Sequence, residues 1–246
     1  MTGTNQTLDE KNHHLLVSSE RMTISIIIPS LNEGEYIHKT LKHLISLPGD
    51  FEIIVVDGGS KDQTARMVKE FGMVKLISSE MGRGIQMNHG AKISKGEILL
   101  FLHADTFLPH NAYPSILGFM QNKKNVGGSF YLKLDKDHLL LNLYSWCSKL
   151  SVEFFTYGDH GIFVRKTVFE QIGGYKKIPF MEDVEIQKRL RKVGRFKKLG
   201  SAVTSSARRF KKEGTTKQFF ADLLLILLFN LGVSPVKLKK FYKDHC

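Results

Sequence analysis

The chain has only two cysteines, Cys147 and Cys246, and no Cys-x-x-Cys pair. That excludes a disulfide framework and a cysteine-built zinc site, and it fits a reducing, cytoplasmic setting. No apolar run approaches the roughly 20 residues that cross a bilayer. The most apolar stretch, Phe219–Val233, has 15 residues and is interrupted by Asp222 and Asn230. Residues 1–20 are polar and lack the apolar heart of a signal peptide, so secretion is not expected. They read as a flexible tail whose His13-His14 pair splays apart rather than chelating a metal. GxxxxGK[ST] and GxGxxG are both missing, which argues against a P-loop nucleotidase. Internal repeats and low-complexity segments are missing too.

What is present is ordinary globular material: 246 residues, 42% hydrophobic and 24% charged. This suits one large α/β domain with an appendage. The net charge of +12 is unevenly placed. Residues 188–246 hold 16 Lys and Arg against 3 Asp and Glu, whereas residues 1–187 hold 20 against 21. A basic last quarter suits a phosphorylated substrate, anionic lipid or a solvated face. It carries no recognisable nucleic-acid reader, so no nucleic-acid partner is expected.

Thr23–Pro29, Phe51–Val56, Val74–Ile77 and Ile98–Leu102 are short β-branched or apolar runs and read as strands. Asn32–Leu47, Asp62–Phe71 and Arg83–Ile93 read as helices between them. Strand–helix alternation predicts βαβ units and a mostly parallel sheet covered on both faces. Further on, Val126–Leu134 and Gly161–Val164 read as strands. Leu139–Phe155, Lys166–Ile172 and Asp183–Val193 read as helices. Tyr144 and Trp146 read as core aromatics. The stretch Phe219–Val233 is apolar nearly all round a helix and needs cover. The domain, a second copy in a homodimer, or peripheral docking on the cytoplasmic face of a membrane could each supply it.

Ligands of such sheets sit beyond the carboxyl ends of the strands. That rule selects the loops at 29–34, 57–62, 81–86 and 103–106. Asp57 and Asp105 end two strands, and Asn32-Glu33 follows another. Carboxylates there can accept from a base or ribose, or hold a divalent cation against a diphosphate. Gly82-Arg83-Gly84 opens a helix, which suits an anion, and Arg83 can fork onto a phosphate. Glu182-Asp183 opens another helix and is either a dipole partner or a general base. Asp159-His160 between two glycines suits acceptor binding or a tight turn. Arg208-Arg209 stay open between an anionic ligand and solvent.

Five segments in order resemble GT-A-fold, family 2 glycosyltransferases: PSLNE (29–33), IIVVDGGSKDQT (53–64), GRGIQMNHGA (82–91), LLFLHADT (99–106) and MEDVEIQKRLRKVGR (181–195). The finer details GDHGIFVRKTVFE (158–170), SARRF (206–210) and LGVSP (231–235) resemble the bacterial subgroup called selenodomain- or radical-SAM-associated transferase 2. The resemblance implies a transferase domain over 21–215, with a nucleotide-sugar half at 21–106 and an acceptor half at 107–215. A basic extension with an apolar helix follows at 216–246. It implies a nucleotide-sugar donor, with Pro29, Asn32, Glu33 and Asp57 lining the base and ribose pocket and Arg83 at the diphosphate. His103-Ala104-Asp105 stands where the family has DxD, so Asp105, with His103, would meet Mg²⁺ or Mn²⁺. Asp183, beside Glu182, matches the catalytic base.

Two departures stand out. His103 replaces the first acid of DxD, and imidazole suits Mn²⁺ better than Mg²⁺. Gly58 replaces a second acid after Asp57, which leaves the base open. The activity implied is inverting, metal-assisted transfer of a sugar to an acceptor hydroxyl. The alternatives are a degenerate GT-A fold serving as a membrane adaptor and a sugar nucleotidyltransferase. The acidic Glu33-Gly34-Glu35 after the first strand disfavours the nucleotidyltransferase, which would hold a triphosphate there.

Overall fold

A computed structural model describes residues 22–149 and 158–242. The expected tail, the end of the helix expected over Leu139–Phe155, and Cys246 lie outside these residues. The first half follows the alternation. Strands β1 (Ile24–Ser30), β2 (Phe51–Asp57), β3 (Lys75–Ser78) and β4 (Ile98–Phe101) are linked by helices α1 (Gly34–Ser46), α2 (Thr64–Lys69) and α3 (Arg83–Ile93). These four strands are mutually parallel in the order β3-β2-β1-β4.

The second half adds β5 (Thr106–Phe107), α4 (Ala112–Met120), β6 (Asn125–Leu134), α5 (Leu139–Cys147), β7 (Ile162–Arg165), α6 (Lys166–Gln171), α7 (Glu182–Val193) and β8 (Arg195–Ser205). The full sheet runs β3-β2-β1-β4-β7-β6-β8-β5. It is mixed, not mostly parallel. β7 lies antiparallel to both β4 and β6, and β5 antiparallel to β8, while β6 and β8 are parallel. Apolar runs mark where strands are but carry no direction, so only the βαβ half was readable. β8 has 11 residues and no expectation at all, because its sequence RFKKLGSAVTS has no apolar run. Phe196 packs on one face of the sheet and Leu199 and Val203 on the other, the register shifting between them, and the buried Lys198 donates to Ser148 O (2.5 Å).

Both sheet faces are buried. Ile24, Ile26 and Ile28 of β1 pack with Ile37, Leu41 and Leu44 of α1 and Ile116 of α4. Ile27 turns to the other face with Ile54 and Val56, under Met87 and Ala91 of α3 and Ile186 and Leu190 of α7. Alternation along a strand buried on both sides requires such a continuous apolar run. α3 lies very close to the sheet at Gly90. A Cβ there would sit 2.5 Å from Ile27 Cγ2 and 3.0 Å from Val56 Cγ2.

The chain then forms α8 (Arg208–Glu213), α9 (Thr215–Asn230) and α10 (Pro235–Phe241). Leu225, Ile226 and Leu238 bury against Phe180, Met181 and Val184 at the start of α7. The opposite side of α9 is exposed at Phe220, Leu224 and Leu227. The apolar stretch therefore packs on the domain with one face only. Trp146 is 59% exposed and is not a core aromatic, whereas Tyr144 packs against Phe210 and Phe219. We predict that Gly90→Ala lowers stability by about 1–3 kcal/mol through overpacking. Urea unfolding measures it, and an unchanged midpoint would show that α3 can lift from Ile27 freely.

Candidate active site

Parallel register brings β1 and β2 to one level, with Ser30 beside Asp57. Pro29 is buried one residue before this edge. The loops beyond are stitched together by side chains. Asn32 N–H donates to Ser60 Oγ (2.9 Å), and Lys61 N–H donates to Asn32 Oδ1 (2.8 Å). Asn32 sits at φ +54, a region asparagine tolerates better than most residues. Glu33 N–H donates to Thr64 Oγ1 and Gly34 N–H to Asp62 Oδ2, so the next loop caps the start of α1. The hydroxyl and N–H of Thr64, with Gly34 N–H, donate to Asp62 and hold its carboxyl below its ordinary range against the opposing effect of burial. Asp57 is buried and accepts from Gly59 N–H and Ser60 N–H. Gln86 of α3 donates Nε2 to Ser30 O (2.9 Å) and Val56 O (2.7 Å), closing the gap between β1 and β2.

The loop after β4 is fixed to α1 by Thr40 Oγ1, which donates to Ala104 O (2.6 Å). Asp105 is thereby held beside Glu33. Arg208 of α8 reaches both carboxylates. Its Nη1 and Nη2 donate to Glu33 (2.7 and 2.6 Å), and its Nε lies 3.2 Å from Asp105 Oδ2. The guanidinium also stacks over Tyr36, 4.6 Å from the ring centroid. Burial, Glu33 and Asp135 raise the Asp105 carboxyl above its ordinary value, while Arg208 opposes them. His103 is pushed down to about 3 by burial and by Arg83, Arg208 and Arg209, so its imidazole is neutral. Its Nε2 is out of solvent with no hydrogen-bond partner among the described residues.

Across the edge lies the start of α7. Met181 adopts a left-handed turn (φ +63), and Glu182 and Asp183 follow as buried first-turn carboxylates. Arg83, at the first turn of α3, pairs its Nε with Glu182 Oε1 at 2.6 Å. Asn88 of α3 exchanges two 2.8 Å bonds with the backbone of Tyr175, and Arg189 of α7 donates to Ile172 O and Gly174 O. The phenol of Tyr175 is buried; that burial, with Asp183 and Glu182 nearby, holds it well above its ordinary range. Asp159 and His160 form a short 3-10 turn. His160 is buried near Phe130 O, with Asp159 Oδ1 3.8 Å from its Nε2. Burial, Asp105 and Asp222 push Asp159 up to about 7 against the pull of Arg209 and Arg83.

The expected residues therefore fall into two connected groups. Glu33, His103 and Asp105 gather around Arg208, with Asp57 and Asn32 in the adjoining loop. Glu182 and Asp183 are tied to the first group through Arg83. Asp159 lies within electrostatic reach of both Asp105 and Arg83. The sequence leaves Arg208 open. Adjacent helical residues point about 100° apart, and nothing local says which of Arg208 and Arg209 turns inward. Arg209 turns away, to Asp222 (2.6 Å) and the Tyr242 hydroxyl.

No group of three or more His, Cys, Asp or Glu among the described residues is placed to hold a metal ion. A closed protein cage is thus not on offer. A Mg²⁺ or Mn²⁺ ion bound through one or two protein groups plus substrate phosphates does fit. Asp105 would be the carboxylate, and the open Nε2 of His103 is a suitable second donor.

Residues 25–173 match the family model described as Glycosyl transferase family 2. The chain belongs to this family. The "Probable glycosyltransferase YdaM" of Bacillus subtilis is 27% identical over 197 residues, covering 70% of this chain and 47% of that protein. Poly-beta-1,6-N-acetyl-D-glucosamine synthase of Staphylococcus epidermidis is 34% identical over 123 residues, covering 46% of this chain and 30% of that protein. The chain thus spans about half or less of the length of these relatives. Among solved structures, S. aureus TarS 1-349 superposes with a TM-score of 0.64 at 19% identity over 84% of this chain and 72% of that one. The mannosyltransferase PcManGT of Pyrobaculum calidifontis, in complex with GDP-Man and Mn²⁺, gives 0.68 at 15% identity over 92% and 70%. These likenesses establish a GT-A-like α/β fold with a mixed sheet.

A raised carboxyl favours the proton-bound native state, so its contribution to stability is full below pH 4 and lost as pH rises through about 7. Asp159→Asn removes that loss. Its melting temperature relative to the parent is predicted to climb between pH 5 and pH 8. A flat difference across that range would mean Asp159 titrates normally.

Proposed function

We propose that this chain is an inverting glycosyltransferase that moves a sugar from a nucleoside-diphosphate donor to an acceptor hydroxyl with divalent-metal assistance. The observation that carries the reading is the Arg83–Glu182 ion pair. It joins the helix start beside the nucleotide loops to the helix start bearing Asp183, so donor and base share one mouth. Membership of family 2, and the donors present with its structural neighbours, support the reading.

In this mechanism Asn32, Glu33 and Asp57 receive the base and ribose. Arg83 and Arg208 face the diphosphate and stabilise its charge as the sugar bond breaks. Glu33 and Asp105 hold Arg208 in place until then. Asp105, with His103 beside it, would hold a divalent ion, which when bound would supply Lewis-acid neutralisation of the leaving group. Asp183 accepts the proton of the acceptor hydroxyl as it attacks the anomeric carbon from the opposite side. One base and one in-line displacement give inversion. Glu182 is occupied by Arg83 and acts by positioning it. Asp159 and His160 border the acceptor side.

Thermal shift with UDP-, GDP-, dTDP- and CMP-based ligands, with and without Mn²⁺ or Mg²⁺, tests the donor site. A ligand at about 100 times its Kd adds about 2.7 kcal/mol. Stabilisation by one nucleoside diphosphate that needs the metal is expected, and silence across the whole panel would sink the reading. Asp183→Asn is predicted to keep that donor shift and to lower turnover about 10²- to 10⁴-fold; full turnover would remove Asp183 as base. Arg208→Gln is predicted to weaken donor binding by about tenfold or more. An unchanged Kd would confine Arg208 to a structural role.

A further inference from the structure

The inner face of α9 is spent on the domain, yet its outer face is equally apolar. Phe220, Leu223, Leu224, Leu227 and Leu231 recur at helical spacing on the side opposite Gln218, Asp222, Leu225 and Ile226. Val236 and Phe241 of α10 are also exposed. α5 packs beside α9 through Tyr144 and Phe219, and it exposes Leu139, Leu143 and Trp146 at i, i+4 and i+7. These three helices and the turn after α9 carry 10 of the 13 exposed large apolar side chains among the described residues. A concentration of that kind marks an interaction surface rather than scattered exposure.

Charge says what covers it. Every exposed charged side chain of α8, α9 and α10 is a lysine: 211, 212, 217, 237, 239 and 240. The acids on these helices are engaged, Glu213 with Lys217 and Asp222 with Arg209. A second copy of this chain would set lysine against lysine in a two-fold interface. An anionic bilayer offers both an apolar interior edge and opposite charge. No helix among the described residues is long and apolar enough to cross a membrane.

We propose that α9 and α10, with α5 beside them, dock this chain flat on an anionic lipid surface. The docking goes beyond the transfer chemistry and rests on none of its residue assignments. It also has a route to the site. Arg209 fastens α8 to Asp222 and Tyr242 of the docking helices, while its neighbour Arg208 reaches Glu33 and Asp105.

Co-sedimentation with phosphatidylcholine vesicles, with and without phosphatidylglycerol, tests the proposal. Binding is expected only where phosphatidylglycerol is present, weakening at least about tenfold at high salt. Leu224→Glu with Leu227→Glu, and separately Lys237→Glu with Lys240→Glu, should each weaken it about tenfold or more while leaving the melting temperature near the parent's. Trp146 is the chain's one tryptophan, so its emission should shift to the blue on binding. Absence of binding, equal binding to neutral vesicles, or binding indifferent to both double substitutions overturns docking. So does a dimer in solution that the leucine substitutions dissolve. An unshifted emission removes α5 from the surface.

Discussion

The site depends on one guanidinium. Glu33 and Asp105 come from different loops and are drawn to the same sheet edge by parallel register and by the Thr40 bond to Ala104. Two carboxylates cannot stay ionised side by side in a partly buried place without a cation between them. Arg208 supplies it, from 175 residues beyond Glu33. Its stacking over Tyr36 fixes the plane of the fork, which a lysine could not reproduce. The cation arrives only because β8 runs back across the sheet and delivers α8 to that edge.

The same short helix faces two ways. Arg208 belongs to the site, while Arg209 belongs to the C-terminal helices through Tyr242 and through Asp222, which Gln218 also holds. Those helices also bury Met181 and Val184, on either side of the acidic pair Glu182-Asp183. The C-terminal region is thus a buttress for the start of α7. Ordering of α9 and α10 and the placement of both Asp183 and Arg208 are one packing problem.

Much of the first half was legible. Arg83–Ile93 begins and ends as read, and the first four strands fall within a residue or two of their apolar runs. Isoleucine-rich runs between amphipathic segments admit few arrangements. The site loops were legible for the same reason, because strand ends in such a sheet share an edge. The second half hid its strongest element. β8 alternates a buried Phe196 with polar neighbours and even buries Lys198, so it has no apolar signature. Trp146 is exposed although an aromatic in a helix suggests a core, because only the neighbouring helices decide which face is covered.

By itself the sequence determined the parallel first half, the carboxylates and arginine at its loops, and the basic, apolar end of the chain. These follow from local periodicity and from residues a few positions apart. The tertiary structure alone decided the antiparallel insertion of β7, the choice of Arg208 over Arg209 as partner to Glu33 and Asp105, and the pairing of Arg83 with Glu182. It also decided that α9 buries one apolar face and leaves the other bare. Each of these is a contact between segments far apart in the chain, and pairing across such distances is set by packing and charge that no local window contains.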